Sequence, residues 1–153
     1  MRFFHISDLH FGKLLYGYDL TEEHRNFIEQ LGDYCDKYNP DAVLIAGDVY
    51  DRSVPSADAM TLLDELLNKL SGRKVFIISG NHDNAKRLSF GKDFLKKHDI
   101  YISTVPQTGE NEKIEKVTFA DEYGNVNIYM LPFLKPALFK NSMPEEAAAG
   151  EDA

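Results

Sequence analysis

The sequence predicts an α/β fold in which helices flank a mostly parallel sheet, and three observations support this prediction. Short apolar runs at residues 2–7, 42–46 and 74–79 are typical of buried strands. Longer amphipathic segments separate these runs, as crossover helices separate parallel strands. Each run ends in a turn-prone polar stretch, which marks the carboxyl end of a strand.

The first predicted helix covers residues 20–38. Asp19 and Glu22 have the spacing of a capping pair at its start. Pro40 follows closely and stops the helix. The apolar face of this helix is predicted to hold Phe27, Leu31, Tyr34 and Cys35.

Two further helices are predicted along the chain. One opens at Pro55 and Ser56, and its apolar residues follow the helical period. A more basic helix covers residues 85–97. Its charged side could follow a nucleic-acid backbone or could be an ordinary solvated face, and both interpretations stay open. The side chains concerned are Lys86, Arg87, Lys92, Lys96 and Lys97.

The last third of the sequence predicts a short strand at residues 100–102 and an antiparallel hairpin. Residues 114–119 and 126–131 alternate in polarity, and a turn-prone segment separates them. Residues 140–153 are acidic and alanine-rich without apolar periodicity, which predicts a mobile tail. One domain is therefore predicted over residues 1–139.

Composition limits the possible classes of function. No apolar run approaches the ~20 residues of a membrane span. Cys35 is the single cysteine, which excludes an internal disulfide framework and suits a reducing cytoplasm. The net charge of −8 argues against a module that binds DNA by neutralising phosphates. The acidic balance fits a metalloenzyme better, because bound cations restore positive potential near clustered carboxylates.

Polar clusters follow all three predicted buried strands. Because the carboxyl ends of parallel strands lie at one edge of a sheet, the clusters should converge in space. Aspartate, histidine and asparagine offer oxygen and nitrogen ligands, which suit Mn²⁺, Fe²⁺ or Zn²⁺. The clusters are Asp8-Leu9-His10, Gly47-Asp48-Val49-Tyr50-Asp51 and Gly80-Asn81-His82-Asp83.

Each cluster alone has a simpler interpretation. Asp8 and His10 could be ordinary loop residues or caps. Asp48 could cap the segment after Gly47, and Asn81 could hold a left-handed turn. His82 could be a surface histidine. The occurrence of all three clusters, each directly after a predicted strand, favours a functional site.

The three clusters, in this order, resemble the first three signature blocks of the calcineurin-like metallophosphoesterases. The resemblance implies that Asp8 and His10 bind one of two divalent metal ions. It implies that Asp48 bridges both ions and that Asn81 binds the second. It also implies the layered fold of that family for residues 1–139.

The same resemblance implies two residues that act without binding metal. His82 would face the scissile phosphate and protonate the leaving oxygen, as a positioned acid does. Asp51 would hold the ring of His82 and favour its charged form.

Longer stretches are similar to the SbcD-type nuclease subunits, a branch of that family. They are residues 5–13, 46–56, 78–83 and 131–136. The similarity implies a cytoplasmic exonuclease and endonuclease that acts on double-stranded DNA ends and hairpins in repair, recombination and replication. It implies two metal ions, taken to be Mn²⁺. An SbcC-type ATPase partner and a homodimer within a heterotetramer, with no membrane association, are implied as well.

The sequence departs from the family pattern in one respect. The family has two later histidine blocks, a single His and a Gly-His-x-His, and this sequence contains neither. His24 and His98 are predicted to be helix residues, and His5 a packed strand residue, rather than substitutes. The chain is therefore expected to be an N-terminal part of a longer domain.

Two other functions stay open at this point. The chain could be a phosphoesterase for small phosphodiesters, cyclic nucleotides or phosphoproteins, against which the nuclease-like stretches argue. It could also be a catalytically inactive module that only docks onto a partner, which the missing histidine blocks favour. A coding sequence with both histidine blocks downstream would distinguish an active nuclease from a docking module.

Overall fold

The computed structural model describes residues 1–105 and 114–134. Its elements, in chain order, are β1 (Phe3–Ile6), β2 (Leu14–Leu15), β3 (Tyr18–Asp19), α1 (Thr21–Tyr38), β4 (Ala42–Ala46), α2 (Ala57–Lys69), β5 (Val75–Ile78), α3 (Ala85–Leu88), α4 (Lys92–Lys96), β6 (Ile100–Ser103), β7 (Lys116–Asp121) and β8 (Gly124–Tyr129). The predicted tail, residues 140–153, lies outside the described residues. No helix of the described part is long and apolar enough to cross a membrane.

A four-stranded parallel sheet forms the centre of the fold, with the strand order β1-β4-β5-β6. Phe3 pairs with Ala42, Val43 with Val75, and Val75 with Ile100. Helices α1 and α2 connect the first three strands, as the alternating strand and helix patterns predict. The predicted α/β fold with a parallel sheet is confirmed.

Helices α1 and α2 cover one face of the sheet. Alternate residues of the central strands, such as Val43 and Ile77, are fully buried in this layer. Cys35 of α1 is fully buried there as well, which agrees with its predicted place on the apolar face. The helix residues of this core include Ile28, Leu31, Leu62, Leu66 and Leu70.

The hairpin of β7 and β8 packs on the opposite face. The other alternate strand residues point there, and Phe76 lies among them. Phe119 of β7 makes edge-to-face contacts with Phe3 at 5.3 Å and with Phe76 at 6.0 Å between ring centroids. The predicted antiparallel hairpin is confirmed, with Asp121 paired to Gly124 at its turn. The sheet is thus held between a helical layer and a hairpin.

The predicted helix over residues 85–97 is wrong as a continuous element. Helix α3 ends at Leu88, and α4 begins only at Lys92. Gly91 lies between them at φ +73°, a left-handed conformation that glycine adopts without strain. The predicted basic side is therefore divided between two short helices. Lys96 is also engaged in an ion pair with Glu115 at 3.2 Å.

Three smaller predictions about β1 and α1 are also wrong. Glu22 pairs with Arg25 at 2.7 Å instead of closing a capping box, while Asp19 accepts the backbone N–H of Thr21 at 2.8 Å. Tyr34 is about half exposed, because it lies at the rim of the apolar face. His5 is exposed, because β1 is an edge strand with a single neighbour among the described residues.

Candidate metal centre

The three polar clusters lie at one edge of the sheet, as the sequence predicts. They belong to three loops: the Asp8 loop (residues 7–11) after β1, the Asp48 loop (residues 47–51) after β4, and the Asn81 loop (residues 79–83) after β5. All three strands run parallel, so their carboxyl ends share an edge.

Backbone hydrogen bonds join the Asp8 loop to the Asp48 loop beyond the ends of the strands. The N–H of Asp8 donates to the carbonyl of Gly47 at 3.2 Å, and that of His10 donates to the carbonyl of Asp48 at 2.9 Å. Phe11 and Tyr50 then form an isolated parallel bridge. The backbones of the Asp8 loop and the Asp48 loop are therefore fixed to each other by hydrogen bonds, which also fixes the positions from which their side chains extend.

The backbone is strained at three of the predicted ligands. Asp8, His10 and Asp48 have φ values of +57°, +48° and +50°. Residues with a Cβ adopt this left-handed region at a cost of order 1–3 kcal/mol each, and such strain clusters at functional sites. The three residues with this backbone conformation are also the three whose ligand atoms lie close together.

Asp8, His10 and Asp48 form one group of possible ligand atoms. Nε2 of His10 lies 3.8 Å from Oδ1 of Asp8 and 4.0 Å from Oδ2 of Asp48. One ligand atom from each lies within 4.8 Å of the others. Ligands that bind one ion at ~2.0–2.2 Å have such separations, so the geometry fits a divalent cation. The Asp48 residue is only 8% exposed, whereas the Asp8 side chain is open to solvent.

Asn81 lies at the same edge with an exposed side chain. Its two neighbours both contact Asp48. His82 donates its backbone N–H to Oδ1 of Asp48 at 2.9 Å, and Gly80 packs directly against the Asp48 carboxylate. The structure therefore places Asn81 beside Asp48, and its role as a ligand stays a prediction.

His82 is held over the site by a backbone carbonyl. Nδ1 of its ring lies 2.7 Å from the carbonyl oxygen of Asp51. Since a carbonyl only accepts, Nδ1 carries a proton and donates it. The ring also makes an edge-to-face contact with His10 at 4.8 Å. The Asp51 carbonyl raises the pKa of His82, and the Asp48, Asp51 and Asp83 charges add to this against partial desolvation.

Asp51 contacts His82, as the resemblance implies, but through its backbone rather than through its side chain. Its backbone carbonyl, and not its carboxylate, makes the short contact with His82. Its carboxylate oxygen lies 3.4 Å from Nδ1 of His10, a buried nitrogen without a hydrogen bond within the described residues. His10, Asp51 and His82 thus form a second group with ligand atoms within 4.8 Å of one another. Asp51 is positioned to orient His10 as well as His82.

His24 and His98 belong to neither group of ligand atoms in the described part of the chain. His24 packs edge-to-face on Phe11 at 5.2 Å, and burial lowers its pKa. His98 is exposed beside Phe94 at the end of α4. Both positions agree with their prediction as helix-associated residues rather than ligands.

Two glycines allow the Asp48 loop and the Asn81 loop to touch. A Cβ on Gly80 would lie 2.1 Å from Oδ1 of Asp48 and 2.4 Å from its backbone nitrogen. A Cβ on Gly47 would lie 2.9 Å from the Cα of Gly80. Neither glycine is among the predicted site residues, although a glycine at the start of both polar clusters is visible in the sequence.

We expect Gly80→Ala to weaken Mn²⁺ binding and to destabilise the fold by about 1–3 kcal/mol, the usual cost of forcing extra atoms into a packed position. The reason is that the methyl group must displace the Asp48 carboxylate. Mn²⁺ titration and thermal unfolding measure the two effects. Gly72→Ala is the control, because Gly72 has open space around it, although its positive φ adds some strain. Equal Mn²⁺ affinity in both variants would contradict the prediction.

Carboxylates and histidines that meet at the carboxyl ends of parallel strands form a candidate metal centre, an arrangement that fits a phosphoesterase. The chain belongs to the calcineurin-like phosphoesterase family, whose sequence model matches residues 1–147. The resemblance inferred from the three clusters is thereby confirmed, and with it membership of a family of metal-dependent hydrolases.

A relative with a more specific name is similar over most of the chain. The SbcD subunit of the nuclease SbcCD from Staphylococcus epidermidis (strain ATCC 12228 / FDA PCI 1200) is 34% identical over 136 residues. The match covers 87% of this chain and 34% of that relative. The chain therefore spans about a third of the length of the curated relative that it matches.

Proposed function

We propose that residues 1–139 form the N-terminal part of a nuclease domain that hydrolyses phosphodiester bonds at DNA ends. The observation that carries the proposal is the group of Asp8, His10 and Asp48 with His82 held beside it. The identity with a nuclease subunit supports DNA as the substrate.

The donor set fits divalent metal ions, and we propose two, taken to be Mn²⁺. Asp8, His10, Asp48 and Asn81 would hold them. Carboxylate, imidazole and amide groups are the ligands that such ions accept. When bound, divalent ions generate a nucleophile from water at neutral pH and neutralise charge on the phosphate. They would also offset the repulsion between DNA and an acidic chain of net charge −8.

His82 would act as the general acid in this reaction. Its Nδ1–H is engaged by the Asp51 carbonyl, so the ring orientation is fixed and Nε2 is left for the substrate. As the phosphorus–oxygen bond to the leaving group breaks, the proton on Nε2 passes to that oxygen. The Asp51 carbonyl raises the pKa of His82, which favours the protonated form of the ring.

We further propose that the complete protein works with an SbcC-type ATPase, as a homodimer within a heterotetramer, in DNA repair, recombination and replication. The name of the relative, one subunit of a nuclease called SbcCD, supports a partner subunit. The cytoplasmic location inferred from the single cysteine stays a prediction.

A nuclease assay in excess Mn²⁺ tests the proposal. We expect the 153-residue chain alone to leave duplex DNA intact, because its ligands would hold both ions weakly. A chain extended through the two histidine blocks that the family places downstream is expected to cleave DNA ends. The Asp48→Ala version of the extended chain controls for contaminating nucleases.

Each other outcome has a distinct meaning. Cleavage by the short chain that Asp48→Ala abolishes would contradict the incomplete site but support the nuclease. Hydrolysis of bis-p-nitrophenyl phosphate without DNA cleavage by the extended chain would favour a phosphoesterase for small phosphodiesters. Binding of the ATPase without either activity would favour a docking module.

A further inference from the structure

Asp83, which is not one of the predicted metal ligands, accepts three hydrogen bonds from backbone N–H groups. Its carboxylate accepts the backbone N–H of Gly80 at 2.9 Å, of Val49 at 3.2 Å and of Tyr50 at 3.0 Å. Gly80 belongs to the same loop as Asp83, whereas Val49 and Tyr50 belong to the Asp48 loop, more than 30 residues away. One side chain therefore joins two of the three loops of the candidate metal centre.

The backbone N–H groups of Val49 and Tyr50 need these hydrogen bonds because both residues are buried. Val49 is fully buried and Tyr50 is 5% exposed, so water cannot readily satisfy their N–H groups. A buried backbone donor without a partner is costly, and a bond to a carboxylate is stronger than one to a neutral acceptor. Burial, together with the nearby Asp83 charge, also raises the pKa of the Tyr50 phenol to about 12.

The two loops hold each other reciprocally. Asp83 of the Asn81 loop accepts N–H groups of the Asp48 loop, and Asp48 accepts the N–H of His82 from the Asn81 loop. Gly80 lies between the two carboxylates, with space for hydrogen only. If Asp83 only capped the turn of its own loop, the hydrogen bond to Gly80 would be sufficient. The two further bonds, to Val49 and Tyr50, therefore indicate a second role. Asp83 itself is in neither group of ligand atoms found among the described residues.

We propose that Asp83 is a positioning residue, whose carboxylate sets the distance between Asp48 on one loop and Asn81 and His82 on the other. Without it, the Asp48 loop would lose its bonds to the neighbouring loop at Val49 and Tyr50. The His82 ring would then no longer be held against His10, and the ligand atoms would no longer share one point. This inference deepens the proposed function and rests on it for the metal readout alone.

The first test reads the geometry of the loops without metal. In the 153-residue chain, NMR should show an NOE between the ring protons of His10 and His82, which are 4.8 Å apart at their centroids. The amides of Val49, Tyr50 and Gly80 should be protected from hydrogen exchange. Asp83→Asn keeps the size of the side chain but replaces one of its two acceptor oxygens with an NH₂ group, which cannot accept from an N–H donor. Because the three N–H groups use both oxygens, we expect a weaker NOE and less protection of the Val49 and Tyr50 amides, while the circular dichroism spectrum stays that of a folded chain.

The matched control is Asp93→Asn, because Asp93 is an exposed aspartate on α4. It should keep the NOE and all three protected amides. Asp83→Glu retains the carboxylate and should restore part of the protection. If Asp83→Asn does not fold, hydrogen exchange in the wild-type chain and in Asp83→Glu still tests the proposal. Unprotected Val49 and Tyr50 amides in the wild-type chain would overturn it.

The second test measures Mn²⁺ affinity by electron paramagnetic resonance on the folded variants. We expect Asp83→Asn to bind Mn²⁺ ~10–100-fold more weakly than the wild-type chain, the usual effect of losing a group that orients a ligand. Asp93→Asn should bind as the wild type does. An unchanged NOE and unchanged affinity in folded Asp83→Asn would overturn the inference. Absence of Mn²⁺ binding in the wild-type chain, with the NOE effects as expected, would count against the metal centre and leave the positioning role supported.

Discussion

Asp48→Asn is expected to lower Mn²⁺ affinity by at least ~100-fold, because loss of a group that merely orients a ligand already costs ~10–100-fold. Asp48 is the most buried carboxylate of the group, and it faces His10 while it accepts the N–H of His82. Asparagine keeps the shape and one acceptor oxygen, so the loop contacts should survive while the charge that attracts the cation is lost. Mn²⁺ titration of the 153-residue chain measures the effect.

Asp33→Asn is the control for Asp48→Asn, since Asp33 is an exposed aspartate on α1 and the change in net charge is the same. It should bind Mn²⁺ as the wild type does. In the cleavage-competent extended chain, Asp48→Asn should also abolish DNA cleavage. Mn²⁺ binding by Asp48→Asn that is as strong as in the wild-type chain would show that the cations are held elsewhere.

His82→Ala has the second large expected effect, and it should separate catalysis from metal binding. We expect turnover in the cleavage-competent chain to fall by roughly 10²–10⁴-fold, the usual contribution of a positioned acid. Mn²⁺ affinity should change little, because the contact of His82 with Asp48 uses its backbone N–H, which alanine retains. The control is His98→Ala, which removes an exposed histidine just beyond the end of α4.

The pH dependence gives an independent measurement of the same role. An acid must be protonated to act, so its contribution is present below its pKa and is lost as the pH rises through it. The Asp51 carbonyl and the neighbouring carboxylates raise that pKa above the ordinary value of 6.5, which extends the active range toward neutral pH. The alkaline decline in turnover should disappear in His82→Ala. Parallel loss of Mn²⁺ binding and turnover would instead assign His82 to the metal.

Much of the fold could be predicted from the sequence, because its signals are local. The apolar runs that became β1, β4 and β5, and the helical periods of α1 and α2, depend on residues close in the chain. The features that were predicted wrongly depend on the backbone conformation at one residue or on the position of a strand in the sheet, and a local sequence pattern shows neither. Gly91 divides the predicted third helix, and the edge position of β1 exposes His5.

The candidate site also has features that the sequence predicts and features that only the tertiary structure shows. The sequence by itself determined which residue types follow each strand, and parallel strands necessarily bring Asp8, Asp48 and Asn81 to one edge. Only the tertiary structure decided which atoms meet there. Asp51 uses its carbonyl on His82, and Asp83 joins two loops through backbone N–H groups. Such contacts depend on strand register and on backbone conformation at positions more than 30 residues apart, which residue identity and spacing do not specify.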